Sequence, residues 1–254
     1  MKKLSYGLIL ISLFLGSCAS KKDVLYFQNA KVNVPKDVEI PQIKIQVNDI
    51  LSVKIGAENP EVAAPYNLNL SSGSVNNNIE VLKLQGYLVS NEGTIFLPVI
   101  GSVDVLGKTI PEAKDYIAGI LKEQGRLDNP DVNIRIINSK VSVMGEVKAP
   151  GTYTYAEQQI TLLQALGYAG DLTINGNRDD VMLIREEGGE RTIVHIDLTK
   201  TDWFDSPYFF MKQNDVIYVG PNNAKVKSSG VIGNASTLLT AASVILSAIV
   251  LITK

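Results

Sequence analysis

The sequence predicts an α+β protein: two small mixed α/β units followed by one C-terminal transmembrane helix. Three observations lead there. Short alternating apolar stretches recur between residues 43 and 219, separated by Gly, Pro and Asn-Asp turns. Two helix starts of the capping-box type, at Thr109 and Thr161, interrupt them. From Ser228 to Thr253 no charged residue occurs, and counting from Val231 the stretch can cross a hydrocarbon core ~30 Å thick as a helix.

The chain has 254 residues, with 24 basic against 26 acidic side chains. This balance gives no reason to expect nucleic acid as a partner. Cys18 is the sole cysteine and His195 the sole histidine, which rules out an internal disulfide and argues against Cys/His catalysis or a Cys/His metal site.

The first element is a signal segment over residues 1–17. Met1-Lys2-Lys3 is basic, Leu4 to Leu15 is apolar but short for a membrane span, and small residues lead to Cys18. Leu15-Gly16-Ser17-Cys18 resembles the lipobox of bacterial lipoproteins. That resemblance implies that Cys18 becomes the mature N-terminus and carries lipid, each buried methylene of which contributes about 0.8 kcal/mol. Ala19, not aspartate, follows the cysteine, which by the same resemblance leans toward the outer membrane. Residues 18–42, polar and punctuated by Pro35 and Pro41, are expected to form an extended lipidated tether.

The first folded unit is expected over residues 43–138. Ile43, Ile45 and Val47 alternate with polar residues, and Asn48-Asp49 turns the chain into a strand from Ile50 to Ile55. Residues 67–78 read as a flexible loop. Gly86-Tyr87-Leu88-Val89, a turn at Asn91-Glu92-Gly93 and Thr94-Ile95-Phe96-Leu97 carry a hairpin signal. The helix from Thr109 presents Ile110, Ala113, Ile117, Ile120 and Leu121 as an apolar stripe, with Gly125 placed to end it. Asp131 to Ile137 then alternates as a strand.

The second unit is expected over residues 139–221. Val141 and Val143 lead to Gly145, and Pro150-Gly151 turns the chain into Thr152-Tyr153-Thr154. Thr161-Leu162-Leu163-Gln164 opens a short helix that Gly170 can close. Val181 to Arg185 and Arg191 to Leu198 read as strands around Glu187-Gly188-Gly189, and Asp215 to Val219 is the last strand. Asn214-Asp215 echoes Asn48-Asp49, each just before an apolar strand, and Asn tolerates the left-handed backbone of a tight turn.

Residues 222–254 are expected to be a linker and the membrane helix. Ser236, Thr240, Ser243 and Ser247, spaced by four, three and four, fall on one narrow stripe of that helix. The stripe can pack helix against helix, line a water-filled lumen shared with copies of itself, or bond back to its own backbone.

Taken in order, Gly86-Tyr87-Leu88-Val89, Gly93-Thr94-Ile95-Phe96-Leu97-Pro98-Val99-Ile100-Gly101, the Thr109 helix and Asn129-Pro130-Asp131-Val132 resemble the polysaccharide export domain. Val143-Met144-Gly145-Glu146-Val147, Pro150-Gly151-Thr152-Tyr153, Leu162-Leu163-Gln164-Ala165-Leu166, Ala169-Gly170 and Asn214-Asp215-Val216-Ile217-Tyr218-Val219 resemble the soluble-ligand-binding β-grasp (SLBB) domain. The whole is similar to outer-membrane polysaccharide export proteins of the Wza type. The resemblance implies a homo-oligomeric ring, octameric in that family, standing in the periplasm. It also implies C-terminal helices assembled through the outer membrane, an inner-membrane polysaccharide co-polymerase as partner, and a capsular or exopolysaccharide as the transported substrate. No cofactor is implied. Only one clear SLBB unit is present where larger members carry more, so a shorter periplasmic part is expected.

No catalytic constellation is expected. His195 lies on a strand face with Ile193 and Asp197. Asp179-Asp180 and Glu186-Glu187 read as solvated turns, and neighbouring strand residues point to opposite faces, so neither pair makes the two-carboxylate site of a glycosidase. Trp203, Phe204, Tyr208, Phe209 and Phe210 read first as a packing patch and second as a sugar-stacking surface. The competing function is a periplasmic glycan- or ligand-binding lipoprotein without a channel; an envelope enzyme acting on glycans is a third.

Overall fold

The computed structural model describes residues 22, 24–31, 37–38, 40–68 and 85–229, and within the C-terminal segment residues 239, 240, 243, 244, 247 and 251. The signal segment, Cys18, most of the loop expected over 67–78 and Ser236 lie outside the described residues.

Two apolar cores organise the chain, one for each unit. In the first, β1 (Ile50–Gly56) is followed by a short helix α1 (Pro60–Ala63) that runs into a single 3-10 turn. β2 (Tyr87–Leu88), β3 (Thr94–Leu97) and β4 (Gly101–Asp104) precede helix α2 (Ile110–Glu123) and strand β5 (Asp131–Ile136). The sheet order is β2-β1-β5, wholly antiparallel, with β3-β4 as a separate pair. Along β1, Leu51, Val53 and Ile55 are buried while the residues between them are not, so the two-residue period puts one face on the core. The side-chain amide of Asn67 both accepts from the Ile55 N–H and donates to its C=O, at 2.8 Å each, which satisfies backbone groups at the strand end.

The hairpin expected between residues 86–89 and 94–97 is corrected in its pairing. The tight turn exists, with Gly93 N–H donating to Ser90 O at 2.9 Å. The strands on its two sides separate, however: β2 pairs with β1, and β3 turns again at Val99 to pair with β4. Val89 exchanges hydrogen bonds with Asn48 and Asp49 on the turn before β1, which draws β2 away from β3. The alternating stretch from Ile43 contributes only a single bridge, Lys44 to Thr109, with Ile45 buried beneath it.

The second unit begins with the hairpin β6 (Lys140–Gly145) and β7 (Gly151–Thr154), then helix α3 (Leu162–Tyr168). β8 (Gly176–Glu187) and β9 (Glu190–Ile196) form the long hairpin, and β10 (Val216–Pro221) ends the unit before helix α4 (Asn223–Ser229). The five-stranded sheet has the order β7-β6-β10-β8-β9; only β6 and β10 run parallel. Asp179, Asp180, Glu186 and Glu187 lie within β8 itself and not in turns, because β8 is twelve residues long and pairs with β9 as far as Glu187–Glu190. Gly188 and Gly189, both at positive φ, make the two-residue turn there.

Both main helices are fixed at their two ends by the same devices. Thr109 with Glu112 and Thr161 with Gln164 form reciprocal capping boxes. Beyond α2, Arg126 N–H reaches Leu121 O and Gly125 N–H reaches Lys122 O; beyond α3, Asp171 reaches Leu166 and Gly170 reaches Gly167. These are Schellman closures, with the glycine in the left-handed conformation at φ 62° and 74°. The helices bury Ala113, Ile117 and Leu121 on one side and Leu162, Ala165 and Leu166 on the other, each large side chain contributing about 1.5–3 kcal/mol.

Candidate functional site

The loop at residues 171–176, between α3 and β8, collects both terminal segments of the chain. On its N-terminal side, the Tyr26 hydroxyl donates to Asp171 Oδ1 at 2.6 Å, and the Arg178 guanidinium lies 5.1 Å from the centre of the Tyr26 ring. Burial, and next the bond to Asp171, push the Tyr26 phenol above its ordinary range. Arg178 is itself buried and donates to the carbonyls of Thr173 and Gly176, which ties the loop to the start of β8. The backbone of Phe27 and Gln28 then donates to Leu198 O and Thr199 O at 3.2 and 2.6 Å. Asn29 donates to Asp202 and accepts from the Thr201 N–H. The expected tether is therefore docked on the second unit over residues 26–29, a contact that polarity alone did not signal.

On its C-terminal side the same loop holds Asn222. The Asn222 N–H donates to Asn175 O at 2.7 Å and its amide nitrogen to Ile174 O at 3.0 Å. Its side-chain oxygen accepts from Lys225 N–H and its carbonyl from Val226 N–H, so Asn222 caps α4 while fastened to the loop.

Of the stripe residues, Thr240, Ser243 and Ser247 are described, and all three are helical and exposed. Ser243 Oγ donates to Thr240 O and Ser247 Oγ to Ser243 O, each at 2.8 Å. The backbone-bonded alternative thus accounts for the hydroxyl hydrogens of Ser243 and Ser247, while their oxygens still face outward. Leu239, Val244 and Leu251 are exposed on the same segment. Among the described residues no helix is long and apolar enough to cross a membrane.

The aromatic residues near 203–210 pack together. Trp203 is buried, lies 4.9 Å from Phe204 and 5.7 Å from Phe209 between ring centres, and donates from its indole to Lys200 O. Phe27 adds to this cluster at 5.4 Å from Phe204. His195 Nδ1 lies 2.5 Å from Asp180 Oδ1, a hydrogen-bonding distance, with both side chains exposed. Glu186 and Glu187 are engaged by Arg191 and Lys212. Among the described residues no group of three His, Cys, Asp or Glu is placed to hold a metal ion.

The two Asn-Asp turns are the same turn built twice. Asp49 Oδ2 accepts from Gln46 N–H at 2.9 Å, and Asp215 Oδ2 accepts from Lys212 N–H at 2.8 Å; Asn48 and Asn214 have φ of 69° and 64°. Their surroundings differ. Asp215 is buried against Arg185, which grips it with two bonds of 3.0 and 2.7 Å and also donates to Pro207 O and Phe210 O. Asp49 is equally buried, and among the described residues no group hydrogen-bonds its Oδ1; burial pushes its carboxyl up to about 6. Asp49, Gln159 and Gln213 line a cavity of about 140 Å³ between the units. A larger cleft of about 430 Å³, bounded by Ile40, Pro41, Ile110, Arg135 and Gln159, opens beside it.

Residues 38–137 match the family described as polysaccharide biosynthesis/export protein, and residues 139–219 match the SLBB domain. The chain is 26% identical over 228 residues to the EPS I polysaccharide export outer membrane protein EpsA of Ralstonia solanacearum, covering 84% of this chain and 59% of that protein. It is 24% identical over 280 residues to the capsule polysaccharide export outer membrane protein CtrA of Neisseria meningitidis serogroup A, covering 94% and 69%. It is 32% identical over 96 residues to the exopolysaccharide production protein ExoF of Rhizobium meliloti, covering 36% and 23%. The chain spans a little under three fifths of the length of the EpsA relative. The chain thus carries, in this order, a polysaccharide biosynthesis/export protein domain over residues 38–137 and an SLBB domain over residues 139–219.

Proposed function

We propose that the chain is a subunit of an outer-membrane channel that exports capsular or exopolysaccharide from the periplasm to the cell surface. The observation that carries this reading is the ordered pair of domain matches over residues 38–219 in a chain whose relatives are named as polysaccharide export outer membrane proteins. In this reading residues 1–17 are removed, Cys18 carries lipid, and the uncharged C-terminal segment crosses the outer membrane as one wall helix of a homo-oligomeric ring. The ring encloses an aqueous path and receives polysaccharide from an inner-membrane co-polymerase. Translocation of this kind calls for enclosure and not bond chemistry, so no side chain is assigned a catalytic role.

The test is twofold. Deleting the gene abolishes surface polysaccharide, and full-length protein restores it while a chain lacking residues 231–254 does not. In mild detergent the protein runs as a large ring by native mass spectrometry; a strictly monomeric protein sinks the channel.

A second reading, a periplasmic ligand-binding lipoprotein, draws support from the interdomain cleft of about 430 Å³, whose size suits a small molecule. Restoration of function by the chain lacking residues 231–254 would favour it over the channel.

A further inference from the structure

We infer that the rim formed by the 171–176 loop, Leu25 and the first turn of α4 rests directly on the lipid headgroup layer. This rests on the membrane reading above and adds which surface of the folded body meets the bilayer. The first observation is topological. Two segments from opposite ends of the sequence, one leading from Cys18 and one leading into the uncharged stretch, are fastened to the same six-residue loop, through Asp171 and through Ile174 and Asn175. Cys18 precedes Tyr26 by eight residues, a leash that reaches at most about 29 Å when fully extended. A lipid on Cys18 and a helix after α4 thus pull on one pole of the second unit.

The second observation is chemical. Ile174 is 68% exposed, Val226 57% and Leu25 44%, although each lies beside an anchoring residue of the pole. Nothing in the local fold requires an isoleucine at the tip of that loop: its carbonyl, not its side chain, holds Asn222. Lys225 and Lys227 are exposed on either side of Val226. Apolar tips flanked by ammonium groups are the composition that enters a headgroup layer, with the side chains at the acyl boundary and the charges at the phosphates. Asp171 and Glu146 beside the pole accept within the fold, Asp171 from Tyr26 and from Leu172 N–H and Glu146 from Thr173, and the buried Arg178 guanidinium lies over the same Tyr26 ring. Lys225 and Lys227, exposed beside Val226, add the positive charge that favours an anionic lipid surface as the occupant.

The experiment uses the full-length lipidated protein in vesicles of phosphatidylethanolamine and phosphatidylglycerol. With Cys18 blocked by its lipid, Ile174→Cys, Val226→Cys, Phe96→Cys and Leu251→Cys are each labelled with bimane, and nitroxide lipids labelled near the headgroup or along the acyl chain are added. Labels at 174 and 226 are expected to be quenched at least twofold by the headgroup nitroxide, the label at 251 by the acyl nitroxide, and the label at 96 by neither. A label at 251 that is quenched while 174 and 226 are not would overturn the rim and leave the membrane reading intact. Loss of quenching at all positions, with no flotation alongside the vesicles, would overturn both. Lys225→Gln with Lys227→Gln is expected to halve the quenching at 174 or reduce it further; unchanged quenching would remove the lysines from the contact.

Discussion

Two aspartates in the same turn, one paired and one not, make opposite demands on the fold. Asp215 is held by Arg185, and both are buried. Asp215→Asn leaves the guanidinium without its counter-charge, so a loss of about 3–5 kcal/mol is expected in thermal or urea unfolding. Asp49 titrates at about 6 instead of near 4 because burial disfavours its charge. The folded chain therefore binds this proton more tightly than the unfolded chain. Stability from this group is greatest below pH 4, falls as pH rises through about 6, and is lower by about 3 kcal/mol above that. Asp49→Asn keeps an acceptor for the Gln46 N–H and carries no charge. It is expected to be more stable than the parent at pH 7 and to converge with it near pH 4; equal unfolding midpoints at pH 7 would refute the assignment. Gly145 shows the third kind of residue-scale constraint. Its φ is 90°, and a Cβ there would sit 2.0 Å from the Val219 carbonyl oxygen of the adjoining parallel strand. Gly145→Ala must push β6 from β10, so loss of soluble folded protein is expected on expression, against recovery of normal yield for Gly151→Ala, whose added Cβ meets nothing closer than 3.9 Å.

At the scale of elements, what was legible in the sequence is what is local. Capping boxes at Thr109 and Thr161, the glycines that close both helices, the Gly188-Gly189 turn and the left-handed Asn48 and Asn214 each follow from a few neighbouring residues. Strand partners are not local. Alternation at residues 87–89 and 94–97 marks two strands but does not name their neighbours, and the bonds of Val89 with Asn48 and Asp49 decide in favour of β1. The parallel pairing of β6 with β10 joins residues more than seventy positions apart, and the Arg185–Asp215 pair depends on a second non-local pairing, the antiparallel one of β8 with β10. Of the candidate site, the spacing of Ser236, Thr240, Ser243 and Ser247 suggests one helix face, while the backbone bonds that Ser243 and Ser247 make are set by rotamers that spacing does not encode. Since Ser243 and Ser247 satisfy their donors within the helix, in the proposed channel they could face either lipid or water without a large penalty, and the apolar residues between them would set the orientation. Replacing Ile245 with Asp is expected to abolish membrane assembly, whereas Ser243→Asp is expected to retain ring formation, because a charge on a lipid-facing position costs about 2.5–3.5 kcal/mol or more. Equal loss for both, read by native mass spectrometry, would refute an outward apolar face.

For the whole molecule, the controlling relation is between the strap at residues 26–29 and the second unit. Sequence polarity reads this segment as free chain, since Gln28 and Asn29 have no apolar period. Its docking relies on groups gathered from distant positions: Asp171, Arg178, Leu198, Thr199, Asp202 and Phe204. Two backbone bonds, one phenol–carboxylate bond, the bonds of Asn29 to Asp202 and Thr201, one ring–ring contact and one cation–π contact outweigh the ordering of a few residues only if the rings stay in place, because each hydrogen bond contributes about 1 kcal/mol. In the proposed lipoprotein, docking of residues 26–29 would shorten the connection between Cys18 and the second unit. Tyr26→Ala with Phe27→Ala should release the strap. In hydrogen exchange on the full-length protein, the amides of Phe27 and Gln28 are expected to be protected in the parent. Loss of both rings removes about 2 kcal/mol, so these amides should exchange roughly thirtyfold faster in the variant, with the β8 and β10 amides unchanged. Tyr26→Phe, which keeps the ring over Arg178 and removes only the bond to Asp171, should fall between. Exchange of the strap at the unprotected rate in the parent would mean that residues 26–29 are not docked on the second unit in solution.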